Sequence, residues 1–109
     1  MTERRRAPRY DCSFKVDYAS RGIASIESQA KAEDISKFGI RLPLSKILNA
    51  GAVLNMHIYT EQDSNPVFAT GRVKWTRADI SHSPHTVEAG IEFTEIESGD
   101  IEKLLSFCS

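Results

Sequence analysis

Apolar and polar residues take turns along most of this chain, and that period of two constrains its fold more than any other feature. Phe14, Val16 and Tyr18 alternate with Lys15 and Asp17, and Ile40 and Leu42 flank Arg41. Leu54, Met56 and Ile58 alternate with Asn55, His57 and Tyr59. Val67, Ala69, Gly71, Val73 and Trp75 make a fourth series, and Val87, Ala89, Ile91 and Phe93 a fifth. A weaker one runs over residues 25 to 33, with Ile26, Ser28, Ala30 and Ala32 set against Glu27, Gln29, Lys31 and Glu33. Alternation places one side of each strand on a core and the other in water. The small inward residues of the weak strand would let a neighbouring sheet come close.

Turn signals separate these runs. They are Arg21-Gly22, the corner from Asp34 to Gly39, Asn49-Ala50-Gly51, Asp63-Ser64-Asn65-Pro66, and residues 81 to 84. Pro43 is expected to end the strand that holds Ile40 and Leu42, with one helical turn at Ser45-Lys46-Ile47-Leu48 after it. Six short strands without long helices between them predict a closed, six-stranded antiparallel β-barrel. Closure also removes edges that an open sheet would have to protect. The chain ends on a different period. Ile101, Leu104, Leu105 and Cys108 recur at helical spacing, with Ser98 as the expected N-cap and Asp100 in the first turn. This helix should lay its apolar stripe across the barrel.

The 109 residues suffice for one domain and one core, and 40% hydrophobic with 27% charged residues fits a folded globular chain. No stretch reaches the roughly 18 apolar residues of a membrane span, and the start has no apolar signal region, so the expected location is the cytoplasm without membrane insertion. A net charge of -1 argues against a general nucleic-acid binder. The charge is uneven, however. Residues 1–9 hold Arg4, Arg5, Arg6 and Arg9 against Glu3 alone, so a basic arm precedes a mildly acidic body. We therefore divide the chain into an arginine-rich, flexible arm over residues 1–11 and a barrel with its helix over residues 12–109. Cys12 and Cys108 lie near opposite ends and could pair only if those ends meet; small apolar fillers are the expectation.

Two polar clusters stand out from the barrel pattern. The arm presents planar guanidinium forks suited to phosphate oxygens. Asp34-Ile35-Ser36-Lys37-Phe38-Gly39 offers a carboxylate, a hydroxyl and a glycine turn at a strand end. Read alone, the arm is a solubilising tail and the corner an ordinary turn. Together they suit a small ligand that carries both phosphates and a hydrogen-bonding head. The two oxygens of Asp34 can accept from a pair of adjacent N–H donors. Ser36 can donate to a phosphate or bond the backbone of the corner, and Gly39 permits a backbone conformation or close approach that a side chain would block. Trp75, the sole tryptophan, is assigned to the core, with a place at the ligand rim second. His82 and His85 lack a third partner for a metal, and His57 falls on a polar strand face. No nucleophile elbow, glycine-rich phosphate loop or paired-carboxylate pattern is present, so an enzyme is not expected.

The motif residues, taken in order, resemble the PilZ domains, receptors for the bacterial second messenger cyclic di-GMP. Arg5 and Arg9 match that family's R-x-x-x-R element, and Asp34, Ser36 and Gly39 match its [D/N]-x-S-x-x-G element. Gly71-Arg72-Val73-Lys74-Trp75 and Gly90-Ile91-Glu92-Phe93 follow in family-like positions. The resemblance implies a six-stranded barrel with a C-terminal helix, and cyclic di-GMP as ligand rather than a resident cofactor. It further implies Arg5 and Arg9 as the leading phosphate and guanine contacts, with Arg4 and Arg6 behind them. Arg4, just before the motif, favours a stacked pair of nucleotides. With no output domain of its own, such a domain would signal to a separate, unidentified protein. Two alternatives remain: a PilZ-like interaction module that binds no nucleotide, and a small barrel for single-stranded nucleic acid. The last would want aromatic and basic residues interleaved on a strand face, where this chain has Glu27, Glu33, Glu88 and Glu92.

Overall fold

In the computed structural model, the described residues are 8–20, 27–45, 48–60, 65–79 and 86–108. Arg21-Gly22, Lys46-Ile47, Asp63-Ser64 and residues 81 to 85, with His82 and His85 among them, lie outside that set. Eight strands and one helix follow in order: β1 (Tyr10–Asp11), β2 (Lys15–Ser20), β3 (Glu27–Lys31), β4 (Asp34–Ile35), β5 (Gly39–Leu44), β6 (Val53–Tyr59), β7 (Val67–Asp79), β8 (Thr86–Glu95) and α1 (Ser98–Ser106). Six of these are the strands that alternation predicts. The additional two, β1 and β4, span two residues each and pair with one another, too short to leave a period in the sequence.

All pairings are antiparallel, in the order β1-β4-β5-β8-β7-β6-β2-β3. The two ends of this curled sheet are joined by the chain itself. β3 pairs with β2, and two residues later β4 pairs with β5. At the crossing, the Ala32 amide donates to the Phe14 carbonyl at 2.8 Å and the Glu33 amide donates to the Arg41 carbonyl at 2.9 Å. Neighbouring residues thus face opposite ends of the sheet, and the segment closes the barrel. Inside lie Val16, Ile35, Ile40, Leu42, Leu54, Met56, Ile58 and Val73, all buried. Ile101 and Leu104 of α1 complete this core.

Three local expectations need correction. Pro43 does not end β5; it pairs with Glu88, and the strand continues to Leu44. Arg41 turns its carbonyl toward Glu33, so Pro43, two residues on, turns its nitrogen the same way, past the end of β4, where no ladder bond is missed. Second, the helix N-cap is Glu97, in extended backbone, without a side-chain cap. Its carbonyl takes the amides of Asp100 and Ile101, which makes Ser98 the first helical residue. Third, Trp75 is not in the core: it is 42% exposed. The β7–β8 register slips between Val73 and Trp75, leaving Lys74 as an extra residue. Such a bulge reverses the alternation, so Val73 faces inward and Trp75 outward.

Glycine has a conformational reason at Gly51 and a steric one at Gly39. Gly51, at φ 93°, is the third residue of the turn 49–52, closed by the Ala52 amide on the Asn49 carbonyl. Gly39 does not have a positive φ. A side chain there would instead run into the Ile91 carbonyl oxygen on β8. The chain ends also meet. Cys12 and Cys108 are both free thiols, partly buried against the core, and Cys108 Sγ donates to the Leu104 carbonyl at 3.6 Å. Burial pushes the Cys12 thiol up to about 12, and burial likewise raises Cys108.

Val73→Ala should lose about 2–3 kcal/mol of stability from removed methyl groups and the cavity left behind. Gly39→Val should also melt lower, by backbone collision rather than strained φ; a wild-type melt for either would contradict this packing. Stability should also respond to alkali. An unfolded Cys12 ionises from its ordinary 9.0, whereas the folded thiol holds its proton to about 12. Its contribution is therefore full below pH 9 and lost as pH rises toward 12. Urea midpoints across that range should fall less steeply for Cys12→Ala than for wild type.

Candidate functional site

The site is a row of residues across four neighbouring strands on the outer face of the barrel. Asp34 of β4 stands opposite Arg41 of β5, Arg41 opposite Gly90 of β8, and Gly90 opposite Trp75 of β7. Gly90 has no side chain, and the space above it takes the Trp75 indole beside the guanidinium. The Trp75 indole lies directly over Gly90, where even a methyl group would collide with it. Gly90 and this indole line a cleft of about 420 Å³ whose walls include Arg9, Phe38, Lys74 and Arg77. A larger hollow of about 670 Å³ lies elsewhere, near His57, Phe68 and Glu95. It gathers no cations and none of the motif residues.

Asp34 sits at the centre of the charge network and is only 8% exposed. Arg9 places Nε and Nη2 each 2.7 Å from Asp34 Oδ1. Arg41 approaches the other oxygen, with Nε 2.8 Å from Oδ2 and 3.3 Å from Glu33 Oε2. That Nε is not aligned for a hydrogen bond to either, so the contact is one of charge. The directional bond of Arg41 runs the other way, Nη1 donating to Glu88 Oε1 at 2.9 Å. Arg77 reaches the same Glu88 at 3.4 Å and lies 5.7 Å from the Trp75 ring centre. Buried carboxylates need such partners, because an uncompensated charge away from water is costly.

The corner from Asp34 to Gly39 shapes this network from below. The Ser36 amide donates to the Gly39 carbonyl at 2.9 Å, and the Phe38 amide donates to Ser36 Oγ at 3.2 Å. Ser36 is buried, and its hydroxyl serves the turn rather than the cleft wall. The Phe38 carbonyl accepts from the Phe93 amide, which ties the corner to β8.

Arg9, Asp34, Gly39 and Trp75 are therefore brought together on one cleft, with Ser36 beneath it. Arg4, Arg5 and Arg6 lie outside the described residues. Sequence reasoning missed Arg41, Lys74, Arg77 and Phe38 as cleft residues and assigned Glu88 to an outer polar face. Glu88 is in fact 9% exposed, beneath Arg41 and Arg77. The missed signal for Arg41 was its place in the Asp34–Arg41 hairpin register; Arg77 follows the bulge, which leaves no trace in a pattern of two. Chemically, the cleft offers cations for anionic oxygens, a carboxylate for N–H donors and an indole for a planar ring. Among the described residues, no three His, Cys, Asp or Glu side chains are grouped to hold a metal, and no helix is long and apolar enough to cross a membrane.

Comparison with known proteins agrees with this architecture. The Bacillus subtilis inhibitor of motility MotI/DgrA superposes with a TM-score of 0.78 at 21% identity, over 97% of this chain and 50% of its own. The PilZ domain of Escherichia coli YcgR, solved with cyclic di-GMP, superposes at 0.70 and 14% identity, over 94% of this chain and 87% of that one. The K. pneumonia MrkH–cyclic di-GMP complex superposes at 0.66 and 21% identity, over 97% and 52%. This chain thus spans about half the length of the Bacillus and Klebsiella proteins. Comparison with curated protein sequences returns no match. The PilZ domain family model matches residues 3–109, nearly the full length, and the chain belongs to the PilZ domain family.

Proposed function

We propose that this domain is a receptor for cyclic di-GMP and not a catalyst. The observation that carries the reading is Asp34, a carboxylate at the mouth of a cationic cleft, bonded to the arginine of the R-x-x-x-R element. Asp34 accepts from the guanine Watson–Crick edge. Arg9 moves from Asp34 to a phosphate, Arg5 binds the next, and Arg4 and Arg6 add charge around them. Trp75 gives the base or ribose an apolar wall, while Ser36 and Gly39 hold the corner that presents Asp34. The cleft lining itself holds Arg9, Arg41, Lys74 and Arg77 against the carboxylates of Asp34 and Glu92, which suits anionic oxygens. MotI, YcgR and MrkH share the fold, and two of those structures contain cyclic di-GMP. The ligand draws the arginine-rich arm that precedes β1 over the cleft, and the reordered surface passes the signal to a separate protein in the cytoplasm.

Calorimetric titration should show binding of cyclic di-GMP and none of GTP or single-stranded DNA. Absence of heat and of amide shifts at high micromolar cyclic di-GMP would remove the reading and favour an interaction module. Arg9→Ala removes a part-exposed ion pair and should cost about 1 kcal/mol of stability or less. Its affinity should fall roughly ten- to hundredfold, since bonds to charged groups contribute about 1.5–3 kcal/mol. Val73→Ala should do the opposite in paired melts and titrations, lowering the melting temperature with affinity retained. Wild-type affinity in Arg9→Ala would leave the fold assignment intact and overturn the function.

A further inference from the structure

Asp34 is held from two sides by arginines that differ in their own anchoring. Arg9 lies just before the two-residue β1 and bonds Asp34 Oδ1 alone among the described contacts. Arg41 lies within β5, which is paired with β4 and β8, and it reaches the carboxylates of Glu33, Asp34 and Glu88. Its Nε faces Asp34 Oδ2 at 2.8 Å, and its Nη1 donates to the buried Glu88 at 2.9 Å. Glu88 in turn is braced by Arg77.

We infer that Arg41 is a positioning residue for base recognition: seated on Glu88, it supplies a counter-charge to the Asp34 carboxylate and keeps it oriented once Arg9 leaves it. The inference rests on the cyclic di-GMP reading of the cleft. A guanine edge presents its N1–H and its 2-amino group side by side, and both oxygens of Asp34 are needed to meet them. Arg9 covers Oδ1 in the ligand-free protein, so its transfer to a phosphate uncovers that oxygen. The same transfer would strip a buried carboxylate of its counter-charge if Arg9 were its sole partner. Arg41 removes that cost without blocking the edge, because it stands on the β5 side and approaches Oδ2. The two arginines thus have separable roles. Arg9 contributes to affinity through phosphate, and Arg41 contributes to the choice of base through Asp34. Glu88, behind the cleft, acts on Asp34 through the Arg41 guanidinium it orients.

The test compares cyclic di-GMP with cyclic di-IMP, which keeps the phosphodiester ring but lacks the 2-amino donor. Wild type should prefer the guanine ligand by about tenfold or more, as expected for loss of one bond to a charged acceptor. Arg9→Ala should weaken both ligands alike and keep that ratio. Arg41→Gln should bring the ratio down toward about one, and Glu88→Gln should move it the same way with the cleft wall intact. A merely structural role would lower melting temperatures and leave the ratio unchanged. An unchanged ratio in folded Arg41→Gln overturns the inference. If that variant does not fold, an unchanged ratio in Glu88→Gln overturns it equally. A wild type that binds neither ligand would instead remove the cyclic di-GMP reading, and this inference with it.

Discussion

The barrel depends on one crossing of the chain, at Ala32 and Glu33. There the backbone stops serving β2 and starts serving β5, through hydrogen bonds from successive amides to Phe14 and Arg41. Without that crossing, the curled sheet would have two open edges and an unsealed core. The same crossing delivers Asp34, the next residue, to the outer surface between β1 and β5. Closure and ligand recognition are thus consequences of one local geometry. The Cys12 amide, bonded to the Glu33 carbonyl at 3.1 Å, attaches the end of the arm to the same seam.

From this seam the site extends by register. A row of outward positions, Asp34, Arg41, Gly90 and Trp75, runs across β4, β5, β8 and β7. The absent side chain at Gly90 makes room in the cleft wall, and the bulge at Lys74 turns the indole into it. Neither would matter without the other. A regular β7 would bury Trp75, and a larger residue at 90 would displace it. The charges follow the same economy, with each buried carboxylate touching two arginines and Arg41 shared between them.

Much of the barrel was legible because period-two burial is written directly in the sequence. Val16 and Tyr18 are buried on β2 with Phe14 just before it, and Leu54, Met56 and Ile58 on β6, as alternation requires. What escaped depends on pairing between distant segments. Pro43 looked like a strand end because its missing donor is visible in sequence, whereas the side it faces is not. Trp75 looked buried because a bulge leaves the apolar series unbroken. Glu88 looked solvated because nothing in its neighbourhood of the chain shows two arginines arriving from β5 and β7. The motif residues Arg9 and Asp34 could be named as ligand contacts from the family pattern, but their pairing with each other could be known only after β1 and β4 had paired. Arg4, Arg5 and Arg6 remain attached to this site by sequence proximity and family pattern.

The central claim is that the ligand enters the Asp34–Gly90–Trp75 cleft. Amide and indole chemical shifts, recorded as cyclic di-GMP is added to labelled protein, test it most directly. The account predicts that the largest changes fall on Arg9, Asp34, Gly39, Arg41, Gly90 and the Trp75 indole N–H, with the His57–Phe68 face unmoved. Changes centred on that opposite hollow, or a Trp75 indole signal that stays fixed through saturation, would contradict it.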